Sequence, residues 1–122
     1  MTNILIVDDE VSIQRMLSYI LRNSEFTPFV AGNAEEALEQ LKKQAMDLLL
    51  LDVAMPDTDG ITFLRHLREM PEYLELPVIM LTASTSERHR VEAQNAGVAA
   101  YLNKLASPDE LLQIIRNVLD KS

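Results

Sequence analysis

Five side chains carry the chemistry open to this sequence: Asp8 and Asp9 in I-L-I-V-D-D-E, Asp52 in L-L-L-L-D-V-A-M-P, Thr82 in M-L-T-A, and Lys104 in Y-L-N-K. Each stands at or just past the end of a short apolar run. Three carboxylates brought together repel one another and raise one another's proton affinity. A hard divalent cation with oxygen ligands relieves that repulsion, and Mg²⁺ typically takes few carboxylates and keeps several waters. An ammonium offsets further charge and meets a phosphoryl oxygen as a point charge, and a hydroxyl can donate to a second such oxygen. A carboxylate nucleophile with a metal, a cation and a hydroxyl makes a site for forming an aspartyl phosphate.

That chemistry requires one sheet edge to gather residues spread over the whole chain, so the elements between them matter. Leu48 to Leu51 are four consecutive leucines. This is the pattern of a short strand buried on both faces of a parallel sheet, with Asp52 emerging where open α/β sheets place their ligand crevices. Asn3 to Val7, Phe26 to Ala31, Val78 to Leu81 and Ala99 to Leu102 read as four further strands. Pro28 places the second of them at a sheet edge.

Helical spacing predicts a first helix burying Ile13, Met16, Leu17, Ile20 and Leu21, and a second burying Ala34, Ala37, Leu38 and Leu41. Asn33 and Glu36 form a capping-box arrangement at the start of the second. A third helix spans Gly60 to Met70 with Phe63, Leu64 and Leu67 inward, and Pro71 and Pro77 bracket the loop after it. A fourth, about Ser86 to Ala96, offers Val91 as its one large apolar residue, with alanines completing its inward face, and ends at Gly97. The last starts at Ser107-Pro108 with Glu110 and carries Leu111, Leu112, Ile115, Val118 and Leu119, widened by Ile114. Strict strand–helix alternation implies an α/β, doubly wound, five-stranded parallel sheet. The flavodoxin-like order 2-1-3-4-5 leads the alternatives, and it makes the strands bearing Asp8, Asp52, Thr82 and Lys104 neighbours.

Composition narrows the function classes. The chain has 122 residues, 48% of them apolar, which fits one domain (residues 1–122) with a real core and argues against disorder. No cysteine is present, so thiolate metal sites and disulfides are excluded and a reducing, cytoplasmic setting is favoured. No apolar run approaches the roughly 20 residues of a membrane span, and no signal peptide is predicted. A net charge of −8 opposes phosphate-backbone binding by this chain, so no direct nucleic-acid partner is expected.

The five motifs, in order and spacing from Ile4 to Leu119, resemble the receiver domain of two-component response regulators. The resemblance implies a regulatory phosphoacceptor rather than an enzyme acting on other substrates. It implies Asp52 as acceptor, Asp9 as a direct Mg²⁺ (or Mn²⁺) ligand, Asp8 acting through bound water, and the Ala54 carbonyl completing the protein ligands. It further implies that Lys104 pairs with a phosphoryl oxygen, that Thr82 moves to bond the phosphoryl group, and that Tyr101 rotates inward behind it. The phosphodonor would be a sensor histidine kinase or histidine phosphotransfer protein. The output would be protein contacts, with a downstream target or a second copy, through the face of the fourth helix, fifth strand and last helix. No output domain follows in this sequence, which suits a stand-alone regulator or part of a longer protein.

Some positions depart from the family's commonest form. Leu105 stands where a proline with a cis bond is usual; the cis form before leucine is disfavoured by about 2.5–4 kcal/mol, which predicts a trans bond and a shifted loop. Ala54 and Ser84, at positions that tune phosphate lifetime, offer no charged group. Asp57 and Asp59 read as turn and capping residues, and His66 and His89 as surface residues of their helices. An aspartate-nucleophile hydrolase usually needs an acid two residues past the nucleophile, where Ala54 stands. A flavodoxin-like cofactor binder needs a Ser/Thr/Gly-rich loop after the first strand, which here carries acids. A degenerate receiver would lack an acid or the lysine, and none is missing.

Overall fold

The structure is a computed structural model that describes residues 2–83 and 86–121; Ser84 lies outside them. The elements alternate as predicted: β1 Thr2–Val7, α1 Val11–Arg22, β2 Phe26–Ala31, α2 Ala34–Lys43, β3 Leu48–Asp52, α3 Gly60–Arg68, a 3₁₀ turn Pro71–Tyr73, β4 Val78–Thr82, α4 Glu87–Asn95, β5 Ala100–Asn103 and α5 Pro108–Asp120. All strand pairs are parallel, in the order β2-β1-β3-β4-β5. Pro28 pairs with Ile4 along the edge strand β2, where its missing N–H can face away from the sheet.

The leucine run divides by strand periodicity. Leu48 and Leu50 join Ile4, Ile6, Ile79 and Leu81 against Leu17 and Leu21 of α1 and Leu111 and Ile115 of α5. Leu49 and Leu51 join Leu5, Val7, Val78 and Met80 against α2, α3 and α4. Every residue of β3 and of β4 is buried, as a strand covered on both faces requires. Among the described residues, no helix is long and apolar enough to cross a membrane.

Two side chains sit differently from their predicted faces. Met16 is exposed, because Ile13, Leu17, Ile20 and Leu21 centre the buried stripe of α1 and leave it at the margin. Val91 is 44% exposed, while Ala93 is fully buried and Ala96 nearly so. Two residues are about 200° of helical turn, so burying Ala93 turns Val91 toward solvent. The alanines alone, with His89 one turn before Ala93, form the inward face of α4.

Candidate functional site

The carboxyl ends of β1, β3, β4 and β5 meet at one crevice. Strand register does most of the positioning: Val7 pairs with Leu51, Asp52 with Leu81 and Thr82 with Asn103, so the residues that end these strands emerge side by side. The Lys104 amide donates to the Thr82 carbonyl at 2.9 Å, carrying the pairing one residue further. The crevice has a volume of about 510 Å³ and is lined by residues that include Asp9, Asp52, Ala54, Thr82, His89 and Lys104.

Lys104 is the hub. Its Nζ lies 2.9 Å from Asp8, 3.1 Å from Asp52 and 3.4 Å from Glu10. Burial alone would push its ammonium down, but the bonds to Asp8 and Asp52 reverse that and hold it above the ordinary lysine value. Glu10 was not among the expected site residues; it is an exposed carboxylate at the N-cap of α1, within reach of the lysine.

Asp52 is 5% exposed. Burial raises its pKa, and Lys104 offsets this only in part, while Asp8 adds to the rise. Its Oδ1 accepts a long 3.4 Å bond from the Ala54 amide and its Oδ2 the bond from Lys104. Asp8 is equally buried, with Oδ1 accepting from the Glu10 amide at 2.9 Å and Oδ2 facing Lys104. Asp9 is exposed. One oxygen from each of Asp8, Asp9 and Asp52 can be chosen so that all lie within 4.8 Å of one another, a hard-oxygen donor set that suits a small divalent cation.

Thr82 is buried at the end of β4. Tyr101, on β5, packs against the α2–α3–α4 core, and its buried hydroxyl has no hydrogen-bonding partner among the described residues. Burial raises the tyrosine's pKa, and the neighbouring Thr82 side chain partly opposes this. The ring is partly buried and its hydroxyl fully so.

The loop after β5 keeps Lys104 in place without proline. The described chain has no cis peptide, so the Lys104–Leu105 bond is trans as predicted. The Asn103 side chain accepts from the Leu105 amide at 2.7 Å, and the Ala106 amide donates to the Asn103 carbonyl. A proline at 105 would forfeit the first of these bonds.

The loop after β3 is fixed from two sides. Asp59 caps α3 by accepting from the Thr62 amide and hydroxyl. Asp57 reaches across to α2 and accepts from the amides of Ala34 and Glu35 at 3.1 and 3.2 Å. Asn33 caps Glu36 as predicted, although the Glu36 carboxylate returns to the Gly32 amide rather than to that of Asn33. Gly60 donates from its amide to the Val53 carbonyl, and a Cβ there would collide with the Asp52 carbonyl oxygen. His66 is exposed as expected. His89 is not a plain surface residue: it is half-buried and lines the crevice.

The model of the family described as "Response regulator receiver domain" matches residues 4–116. The phosphate regulon transcriptional regulatory protein PhoB of Escherichia coli is 37% identical over 116 residues, covering 95% of this chain and 51% of that protein. The transcriptional regulatory protein ResD of Bacillus subtilis is 38% identical over 121 residues, 99% of this chain and 49% of that one. The chain thus spans about half the length of these two relatives. Among solved structures, chemotaxis protein CheY4 of Vibrio cholerae superposes with a TM-score of 0.91 at 32% identity, covering 97% of this chain and 98% of that one. A CheY-like response regulator receiver domain protein of Methanospirillum hungatei gives 0.91 at 30% identity, covering 99% and 95%.

Proposed function

The chain belongs to the response regulator receiver domain family, and from that membership we propose that Asp52 accepts a phosphoryl group from a phosphohistidine on a partner histidine kinase or phosphotransfer protein. The observation that carries this reading is the Lys104 ammonium lying between Asp52 and Asp8 at the crevice. In the transfer, a carboxylate oxygen of Asp52 forms a bond to phosphorus as the phosphorus–nitrogen bond of the donor breaks, and the histidine leaves with the electron pair. Burial strengthens every charge interaction in the crevice. Lys104 would turn from Asp52 to a phosphoryl oxygen, and Thr82 would donate its hydroxyl to another.

The donor set fits Mg²⁺ or Mn²⁺, which would neutralise charge shared between the carboxylates and the phosphoryl oxygens. Asp9, exposed, would be a direct protein ligand. Asp8, with each oxygen already engaged by Glu10 or Lys104, suits the role of acting through bound water. Asp52 and the Ala54 carbonyl would complete the set.

We read residues 1–122 as one receiver unit that is regulatory rather than catalytic toward other substrates, and cytoplasmic. Thr82 and Tyr101 would pass the phosphorylated state to the α4–β5–α5 face, where a downstream protein or a second copy would bind. Incubation with acetyl phosphate and Mg²⁺ tests the premise by intact mass. The wild-type chain gains one phosphoryl group and Asp52→Asn gains none; a wild type without added mass overturns the reading.

A further inference from the structure

We propose that His89 is a positioning residue for the phosphorylated state, donating from its imidazole to a phosphoryl oxygen on Asp52 and so tethering α4 directly to the modification. This rests on Asp52 being the phosphoacceptor. His89 lies in the first turn of α4, with its backbone amide held by the Ser86 cap at 3.5 Å. It stands four residues before the fully buried Ala93 and seven before Ala96, on the one inward stripe this helix has. Half-buried, it forms one wall of the crevice that Asp52, Ala54, Thr82 and Lys104 also line. A solvent-facing role would have put it with Arg88 and Arg90, which pair with Glu92 and Glu87 on the exposed side.

Ala54 has no side chain long enough to cover a phosphoryl group on Asp52, and His89 lines the same crevice. Imidazole carries at least one N–H donor in either charge state. Once formed, the hydrogen bond places the ring beside the phosphorus and hinders the attacking water. Hydrolysis of the aspartyl phosphate forms a bond from water oxygen to phosphorus, breaks the bond to Asp52 and releases inorganic phosphate with the water's proton. The same hydrogen bond draws in the first turn of a helix whose buried residues are Ala93 and, at its C-cap, Ala96, a contact separate from that of Thr82 and Tyr101.

The experiment loads wild type, His89→Ala and His89→Gln with acetyl phosphate and Mg²⁺, removes the donor, and follows loss of phosphoryl mass over time. Thermal melts confirm that all three are folded. We expect all three to load, loss from His89→Ala about 2- to 10-fold faster, which is one hydrogen bond expressed as a rate, and His89→Gln close to wild type. Hydrogen exchange should show α4 gaining protection on phosphorylation in wild type and His89→Gln but not in His89→Ala. Equal lifetimes in all three overturn the proposal, as does a folded His89→Ala that fails to load. If wild type itself does not load, the assignment of Asp52 fails, and this inference falls with it.

Discussion

Lys104 faces three carboxylates and Asp57 faces none of the site, yet both keep the crevice in shape. Lys104 offsets the charge of Asp8 and Asp52 where burial disfavours the ionised form of Asp52. Asp57 holds the loop after β3 to the start of α2. Its pKa is lowered, chiefly by the Ala34 amide, with burial opposing and the Glu35 amide adding to the lowering. Its folded value thus lies below the unfolded value of 3.8. The stabilisation it gives is complete above that unfolded value and is lost as pH falls through the folded one. Asp57→Asn should therefore lower the melting temperature at pH 7, and the gap to wild type should close on acidification below about pH 4. Melting curves across that range check this, and a gap that widens in acid contradicts it. Nothing local marks Asp57 as the cap of a helix 23 residues earlier; the sequence supports a capping role, but the partner is tertiary.

At the scale of elements, two features set what is rigid and what gives. Gly60 starts α3 with its backbone against the backbone of Asp52 and Val53. Gly60→Ala should cost about 2 kcal/mol through overpacking and slow phosphorylation, because the displaced backbone is that of the proposed acceptor. Urea unfolding gives the first and mass-monitored loading the second; an unchanged midpoint removes the close approach from the account. α4, by contrast, buries only Ala93 within its span. In the unphosphorylated chain it should be the least protected of the five helices by hydrogen exchange, whereas α1, anchored by Leu17 and Leu21, should be slow. Equal protection of the two would contradict this. Alternation of strand and helix was readable because each apolar run has its own length and period. The faces of α1 and α4 were less so: type alone assigned Met16 and Val91 inward, while the neighbours on either side decide the stripe. The role of Gly60 was hidden for a related reason, since a glycine after P-D-T-D reads as turn chemistry and its contact with Asp52 is made in space.

For the whole molecule, the acids of the crevice add a local cluster to a net charge of −8. The folded arrangement brings Asp8, Asp9 and Asp52 together and the unfolded chain does not. A divalent cation that binds only the folded form stabilises it by mass action, about 2.7 kcal/mol at one hundred times its dissociation constant. Mg²⁺ should accordingly raise the melting temperature of wild type by several degrees. Asp9→Asn should lose most of that rise while melting no lower than wild type in chelator, since it removes one of three like charges. Calorimetry with and without Mg²⁺ decides it, and an undiminished rise in the variant would remove Asp9 from the proposed metal site. The acids, the hydroxyl and the lysine were all legible because each ends an apolar run. Glu10 and His89 were not: Glu10 stands at the N-cap of α1 and meets Lys104 only through the fold, and His89 read as a surface residue of its helix.

The contact at Gly60 also supplies a spectroscopic handle. The chain has three glycines, so the glycine region of an amide spectrum holds few signals to assign. The Gly60 N–H is bonded to the carbonyl of Val53, the residue after the proposed acceptor, with a donor–acceptor distance of 2.6 Å. Small displacements of that peptide change the shielding of one proton, and a single resonance can then report, without labels on the partner or the phosphate, how much of the population carries the modification.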